Sequence, residues 1–197
     1  MAIDREKAIN DLSQIKVKGN EEGLIPAFGV LVQFLPANFW NTFTEKMLDA
    51  AGDKHQASVE TGLEQAAAEC GYHTGWGIIN SDEFNAIVGP MIEKMPEDVL
   101  HGAYAVLSAW GWAKCEIIEL IPGERKVVRA YEYYESKITE TFSIKKPCAY
   151  MIKGITRAFM DIAYGGEYPD SFDHFKSEQV KGIELGDSFG EFVVTRK

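Results

Sequence analysis

Basic clusters are missing from this sequence. Its 20 Lys+Arg stand against 30 Asp+Glu, for a formal charge of −10, and the cations are nowhere gathered into a block. That balance argues against nucleic acid or an anionic membrane surface as the main partner. Cysteine is also scarce: Cys70, Cys115 and Cys148 are an odd number at wide spacings, so no disulfide framework is read and a reducing cytoplasm is the expected compartment. The leading MAIDREKAIND is charged where a signal peptide would be apolar. Long hydrophobic runs are absent as well. The most apolar stretch, 24–35, is interrupted by Pro26, Gly29 and Gln33 and falls short of the ~20 residues a membrane helix needs. No membrane insertion is expected, and the stretch reads as a buried wall.

Compact catalytic and nucleotide motifs are lacking too. Gly71-Tyr72-His73-Thr74-Gly75-Trp76-Gly77 is glycine-rich, but it follows a predicted helix and has neither GxGxxG nor a Walker lysine. It reads as the rim of a pocket or as a helix-to-helix turn. No Ser/His/Asp order and no His-Glu-x-x-His stands out. Glu116, Glu119, Glu132 and Glu135 lie on predicted strands, yet Lys114, Arg125, Lys126 and Arg129 are placed to pair with them, which reads as a solvated, charged sheet face.

What is present is apolar and aromatic. Of 197 residues, 46% are hydrophobic and 12% aromatic, enough for the core of one domain spanning 1–197. A helix is predicted over 4–15, followed by a charged, turn-rich break that makes the leading segment a mobile arm or a dimer contact. Trp40, Phe43, Met47 and Ala51 recur at helical spacing up to Gly52-Asp53, and Val59, Leu63, Ala66, Ala67 and Cys70 mark a second helix stopping at Gly71. Ser81 is a cap for a helix that Gly89-Pro90 should kink, and Pro96 starts another that ends at Gly111. The pattern then changes. Residues 114–121 and 126–134 are β-branched and aromatic runs joined by Pro122-Gly123-Glu124, Pro147 opens the strongest helix, and 177–185 with 189–195 form a second hairpin around Gly186-Asp187. Helices followed by strand, strand, long helix, strand, strand predict an α+β fold, an antiparallel sheet of about four strands packed against helices.

From about Gly71 onward this order resembles the 4-vinyl reductase, or hydrocarbon-binding, domain and its relatives among the TRAPP vesicle-tethering subunits. The residues that carry the resemblance are Ala109-Trp110-Gly111-Trp112 before the first hairpin, Pro147-Cys148 heading a helix with Gly154, and the closing segment 177–192 with Gly186-Asp187 and Phe192. In that family the closing hairpin commonly carries two cysteines which, with a glutamate and a cysteine at the head of the long helix, can bind zinc. Gly182 and Gly190 stand at the two hairpin positions, and the glutamate position falls on Gln179 or Glu178. Cys148, His174 and Glu178 are the residues left for a partial metal site, too few for a structural zinc. Similarly, His101 and Tyr134-Glu135-Ser136 resemble the signature of heme NO-binding domains, but Ile138 replaces the arginine that would pair with heme propionates. No cofactor is expected.

The resemblance implies a binding module for a hydrophobic or aromatic small molecule or an acyl chain, with Trp110, Tyr131, Met151, Ile155 and Phe159 as the expected ligand-binding residues and a homodimer as the expected assembly. An enzyme or accessory factor in tetrapyrrole or aromatic metabolism and a protein-interaction scaffold are the alternatives. No catalytic residue is expected.

Overall fold

The computed structural model describes residues 3–138 and 146–197. Helix α1 (Arg5–Ser13) starts at Asp4, whose side chain accepts from the Lys7 amide. It is no mobile arm: Ala8 and Leu12 are buried, and Arg5 reaches the Ser108 hydroxyl and the Cys115 carbonyl oxygen. A short hairpin follows, β1 (Ile25–Ala27) and β2 (Val30–Val32). Within the stretch expected to be a buried wall, Ala27 and Phe28 are buried, but Leu31 is 65% and Phe34 72% exposed.

Helix α2 (Ala37–Ile79) breaks at Gly52, where φ is 59° and ψ 170°. It then runs straight through the glycine-rich segment 71–77, where a pocket rim or a helix-to-helix turn was expected. The reason is close packing. A side chain at Gly71 would sit 3.1 Å from Ile155 Cα, and one at Gly75 would sit 2.9 Å from Ile162 Cδ1. These glycines let α2 lie against a later helix, so their missing Cβ atoms serve an interface and not a turn.

The polypeptide continues through α3 (Asp82–Ile87), capped by Ser81, a 3₁₀ turn at Gly89–Met91, and α4 (Glu97–Ala109). Strands β3 (Ala113–Ile121) and β4 (Arg125–Tyr133) form the first hairpin. Helix α5 (Tyr150–Tyr164) leads to β5 (Phe175–Lys181) and β6 (Gly190–Arg196). The sheet order is β3-β4-β6-β5, antiparallel at every pairing. This is the α+β architecture expected from the element order. One sheet face meets α5: Ile152, Ile155, Phe159 and Met160 share a core with Val128, Ala130, Phe192 and Val194. Helix α2 covers the other side of α5.

A bulge decides which strand residues face that core. Lys114 pairs with Glu132, but the next residue, Cys115, pairs with Ala130, leaving Tyr131 without a partner. Two-residue alternation therefore slips by one. Ala130 and Tyr133 both point inward, while Tyr131 and Glu132 are exposed.

Candidate functional site

Between α2, α4 and α5 the packing leaves two apolar cavities. The larger, of about 260 Å³, is bounded by Trp76, Phe84, Val99, Leu100 and Ile162. The smaller, of about 70 Å³, lies against Gly71, Leu107, Trp110, Trp112 and Ile155. Gly75, Ile79, Ala103 and Phe159 belong to both walls, so a single layer of side chains joins the two spaces. For scale, a dry apolar cavity of roughly 150 Å³ accepts benzene.

Of the residues expected to bind ligand, Trp110, Ile155 and Phe159 come together around the smaller cavity. Met151 lies half-buried near the start of α5, away from both walls. Tyr131 does not reach the site: it alternates with the inward Ala130 and so lies on the outer sheet face, where its hydroxyl donates to Glu116 at 2.5 Å.

Beneath Phe159 lies a buried polar cluster that sequence reasoning missed. Lys126 is fully buried, and its ammonium nitrogen donates to the Thr156 carbonyl oxygen at 2.9 Å. The same nitrogen stands 4.8 Å from the Tyr104 ring centre and 6.0 Å from that of Phe159, in the range of a cation–π contact. Burial lowers its pKa to about 7, against smaller opposing effects of Cys115 and Asp161. Burial raises the Tyr104 phenol, with the neighbouring Thr156 hydroxyl pulling the other way, and pushes the Cys115 thiol up to about 12. Among the described residues, Tyr104 Oη, Thr156 Oγ1 and Asp161 Oδ2 are buried and under-satisfied: the two hydroxyls have at most each other, and the Asp161 carboxylate has only backbone amides of the 173–174 segment. Buried polar atoms are usually fully paired, so under-satisfied groups in the neighbourhood of one buried amine suit a water or a ligand's polar end.

The sequence reading put Lys126 on a solvated face. Lys126, Val128 and Ala130 share one side of β4, and that shared parity was the signal for an inward lysine.

At the other end of α5, where the family resemblance implied metal ligands, side chains fill the space. Glu184 Oε1 accepts from the Cys148 amide at 3.1 Å and from Gln179 Nε2 at 2.6 Å, and Gln179 Oε1 accepts from the Ala149 amide at 3.2 Å. The Tyr133 hydroxyl donates to Glu184 and accepts from the Ile183 amide. A Cβ at Gly182 would lie 2.7 Å from Glu184 Cδ, and one at Gly190 would lie 2.8 Å from Tyr133 Cε1. Glu184 and Tyr133 thus fill the space at the two positions where the resemblance implied thiolates. Cys148 is buried with Leu48, Ile138 and Tyr150, Glu178 is exposed, and His174 bonds the Phe172 carbonyl oxygen. Among the described residues no group of three or more His, Cys, Asp or Glu is placed to hold a metal. Glu135 completes the anchor by accepting from the Met151 and Ile152 amides at the start of α5. Because this network ties α5 to the closing hairpin without thiolates, chelation is expected to leave the melting temperature unchanged. Stoichiometric zinc by elemental analysis, with a lower melting temperature after chelation, would contradict that.

No protein-family model matches the chain, and neither does any curated protein. Among solved structures, the phenol-responsive sensory domain of the transcription activator PoxR with phenol superposes with a TM-score of 0.73 at 9% identity, over 100% of this chain and 92% of that one. The chain shares its fold. The trafficking protein particle complex subunit 3 from Naegleria fowleri, covalently bound to palmitic acid, superposes with a TM-score of 0.53 at 16% identity, over 82% of this chain and 92% of that one. At these identities the likeness is one of fold. Among the described residues, no helix is long and apolar enough to cross a membrane.

Proposed function

We propose that the protein is a binding module of the 4-vinyl reductase-domain type that holds a small hydrophobic or aromatic molecule between α2, α4 and α5. The observation that carries this reading is the pair of apolar cavities joined at Gly75, Ala103 and Phe159. Concave, mostly apolar space with a few convergent polar groups is the usual form of a small-molecule site. Structures of the same fold with phenol and with palmitic acid support it. The test is thermal unfolding with phenol, naphthalene and decanoate. A ligand at 100 times its Kd should add about 2.7 kcal/mol of stability, seen as a dose-dependent rise in melting temperature. Ala103→Leu, which grows a side chain into both cavities, should keep the fold and lose the rise. No shift with any probe would overturn the reading.

The same module is proposed to act as a homodimer. Phe39, Phe43 and Met47 recur every four residues on the exposed side of α2, and the exposed Leu31, Phe34 and Leu35 precede them. A stripe of this kind on a monomer is a cost that a second copy would remove. Light scattering should give twice 22.0 kDa, and Phe39→Glu with Phe43→Glu should halve it. A monomer persisting at about 100 μM would contradict the proposal.

A further inference from the structure

A buried lysine is costly unless something uses it. Lys126 meets the Thr156 carbonyl oxygen and two aromatic faces, with the under-satisfied hydroxyls of Tyr104 and Thr156 and the Asp161 carboxylate nearby on α4 and α5. Phe159 joins this cluster to the apolar cavities, because its ring lines both cavities and also lies 6.0 Å from the Lys126 nitrogen. For a ligand in the cavities to meet the amine, that one ring would have to turn aside.

We propose that Lys126 captures the carbonyl group of an apolar aldehyde or ketone as an imine, with the apolar remainder of the molecule in the cavity between α2, α4 and α5. The inference rests on the binding reading above and adds the chemical class of the ligand. The Lys126 nitrogen adds its lone pair to the carbonyl carbon, and the carbonyl π pair moves to oxygen. The two protons of the neutral amine end on that oxygen, which leaves as water while the C=N bond forms. Amine plus carbonyl gives imine plus water, so no oxidant or reductant is consumed. Tyr104, whose ring centre is 4.8 Å from the amine nitrogen, and Thr156, whose carbonyl oxygen accepts from it, are the neighbouring hydroxyl-bearing residues, and their hydroxyls would pass those protons. Desolvation keeps a large share of the amine unprotonated near neutral pH, the state a nucleophilic lysine requires. The neighbouring Cys115 is no competitor, since burial holds it as the thiol.

The test incubates the full chain with benzaldehyde or decanal near neutral pH, reduces with cyanoborohydride and maps the adduct by peptide mass spectrometry. Lys126 should carry the adduct with an occupancy about tenfold or more above any other lysine, because an exposed lysine with its ordinary pKa is almost wholly protonated there. Lys126→Met should lose that adduct, and prior saturation with naphthalene, which has no carbonyl, should suppress it in the wild type. Because the wild-type map decides by itself, the outcome does not depend on how the variant folds. Adducts spread over surface lysines with Lys126 unmodified would overturn the inference. If naphthalene still raised the melting temperature, the imine alone would fall; if it did not, the binding reading would fall with it.

Discussion

Lys126→Met is expected to raise stability at neutral pH by roughly 2 to 4 kcal/mol, since it replaces a buried, poorly compensated cation with an apolar side chain of similar length. The sign follows from linkage. A lysine whose pKa falls from 10.5 unfolded to about 7 folded binds fewer protons when folded between those values. Stability therefore rises with pH from about 7 to about 10.5, and the full cost is present below that window. The groups facing the amine are Tyr104 on α4, Cys115 on β3 and Asp161 on α5, with His101 farther along α4. Glu135 acts oppositely: burial raises its pKa from 4.5 to about 8, so its contribution is lost as pH rises from about 4.5 to 8. The informative quantity is the difference between wild type and variant in urea unfolding across pH. That difference should be largest below about pH 7, shrink as pH rises, and vanish above about pH 10.5. A variant less stable than wild type at pH 7, or a difference independent of pH, would contradict the placement of Lys126. A gain in stability with loss of imine capture would be the usual exchange at a functional site.

Gly154→Ala should be among the most damaging single-methyl changes in the protein. A Cβ there would lie 2.6 Å from Ala67 Cβ and 2.7 Å from the Ala68 amide nitrogen, and would press on the Glu64 carbonyl oxygen. Two of these neighbours are helix backbone, which cannot turn aside as a flexible side chain can, so α2 and α5 must separate. Overpacking a close-packed core typically costs about 1 to 3 kcal/mol. The expected loss is about 3 kcal/mol or more, since the ion pairs of Glu64 with Lys153 and Arg157 span the same seam. Ligand binding should weaken in parallel, because that seam sets the width of both cavities. Chemical denaturation of Gly154→Ala checks this, and stability within about 0.5 kcal/mol of wild type, the range for uneventful surface changes, would show that the helices are not in contact there.

Much of the architecture could be read from local chemistry. The cap at Ser81, the start at Pro96, the turn at Pro122-Gly123-Glu124 and the strong stripe of α5 are set by short-range preferences, and the structure places them accordingly. The misses came where tertiary contact overrode local signal. Gly71 looked like a helix stop and Gly75 like part of a turn or pocket rim, but both are continuation points because α5 passes too close for a side chain. Tyr131 looked like a pocket residue because it is aromatic, but it has the parity of Arg129, opposite to Val128 and Ala130, so strand alternation alone turns it outward. Lys126 looked like a surface charge because lysines usually are, although its spacing from Val128 and Ala130 placed it inside. Of the cavity walls, Trp110, Ile155 and Phe159 followed from apolar stripes and from the family resemblance. The α2 side of the wall, at Gly75 and Ile79, required knowing that the glycine-rich segment is helical.

The most direct test of the proposed site is a crystal structure of the protein soaked with 4-bromophenol, using the anomalous signal of bromine to locate the ring. The account predicts a peak inside the space enclosed by Gly75, Ala103 and Phe159, and its loss in Ala103→Leu. A bromine found only on the outer surface, or none at all under conditions that saturate binding in solution, would contradict it.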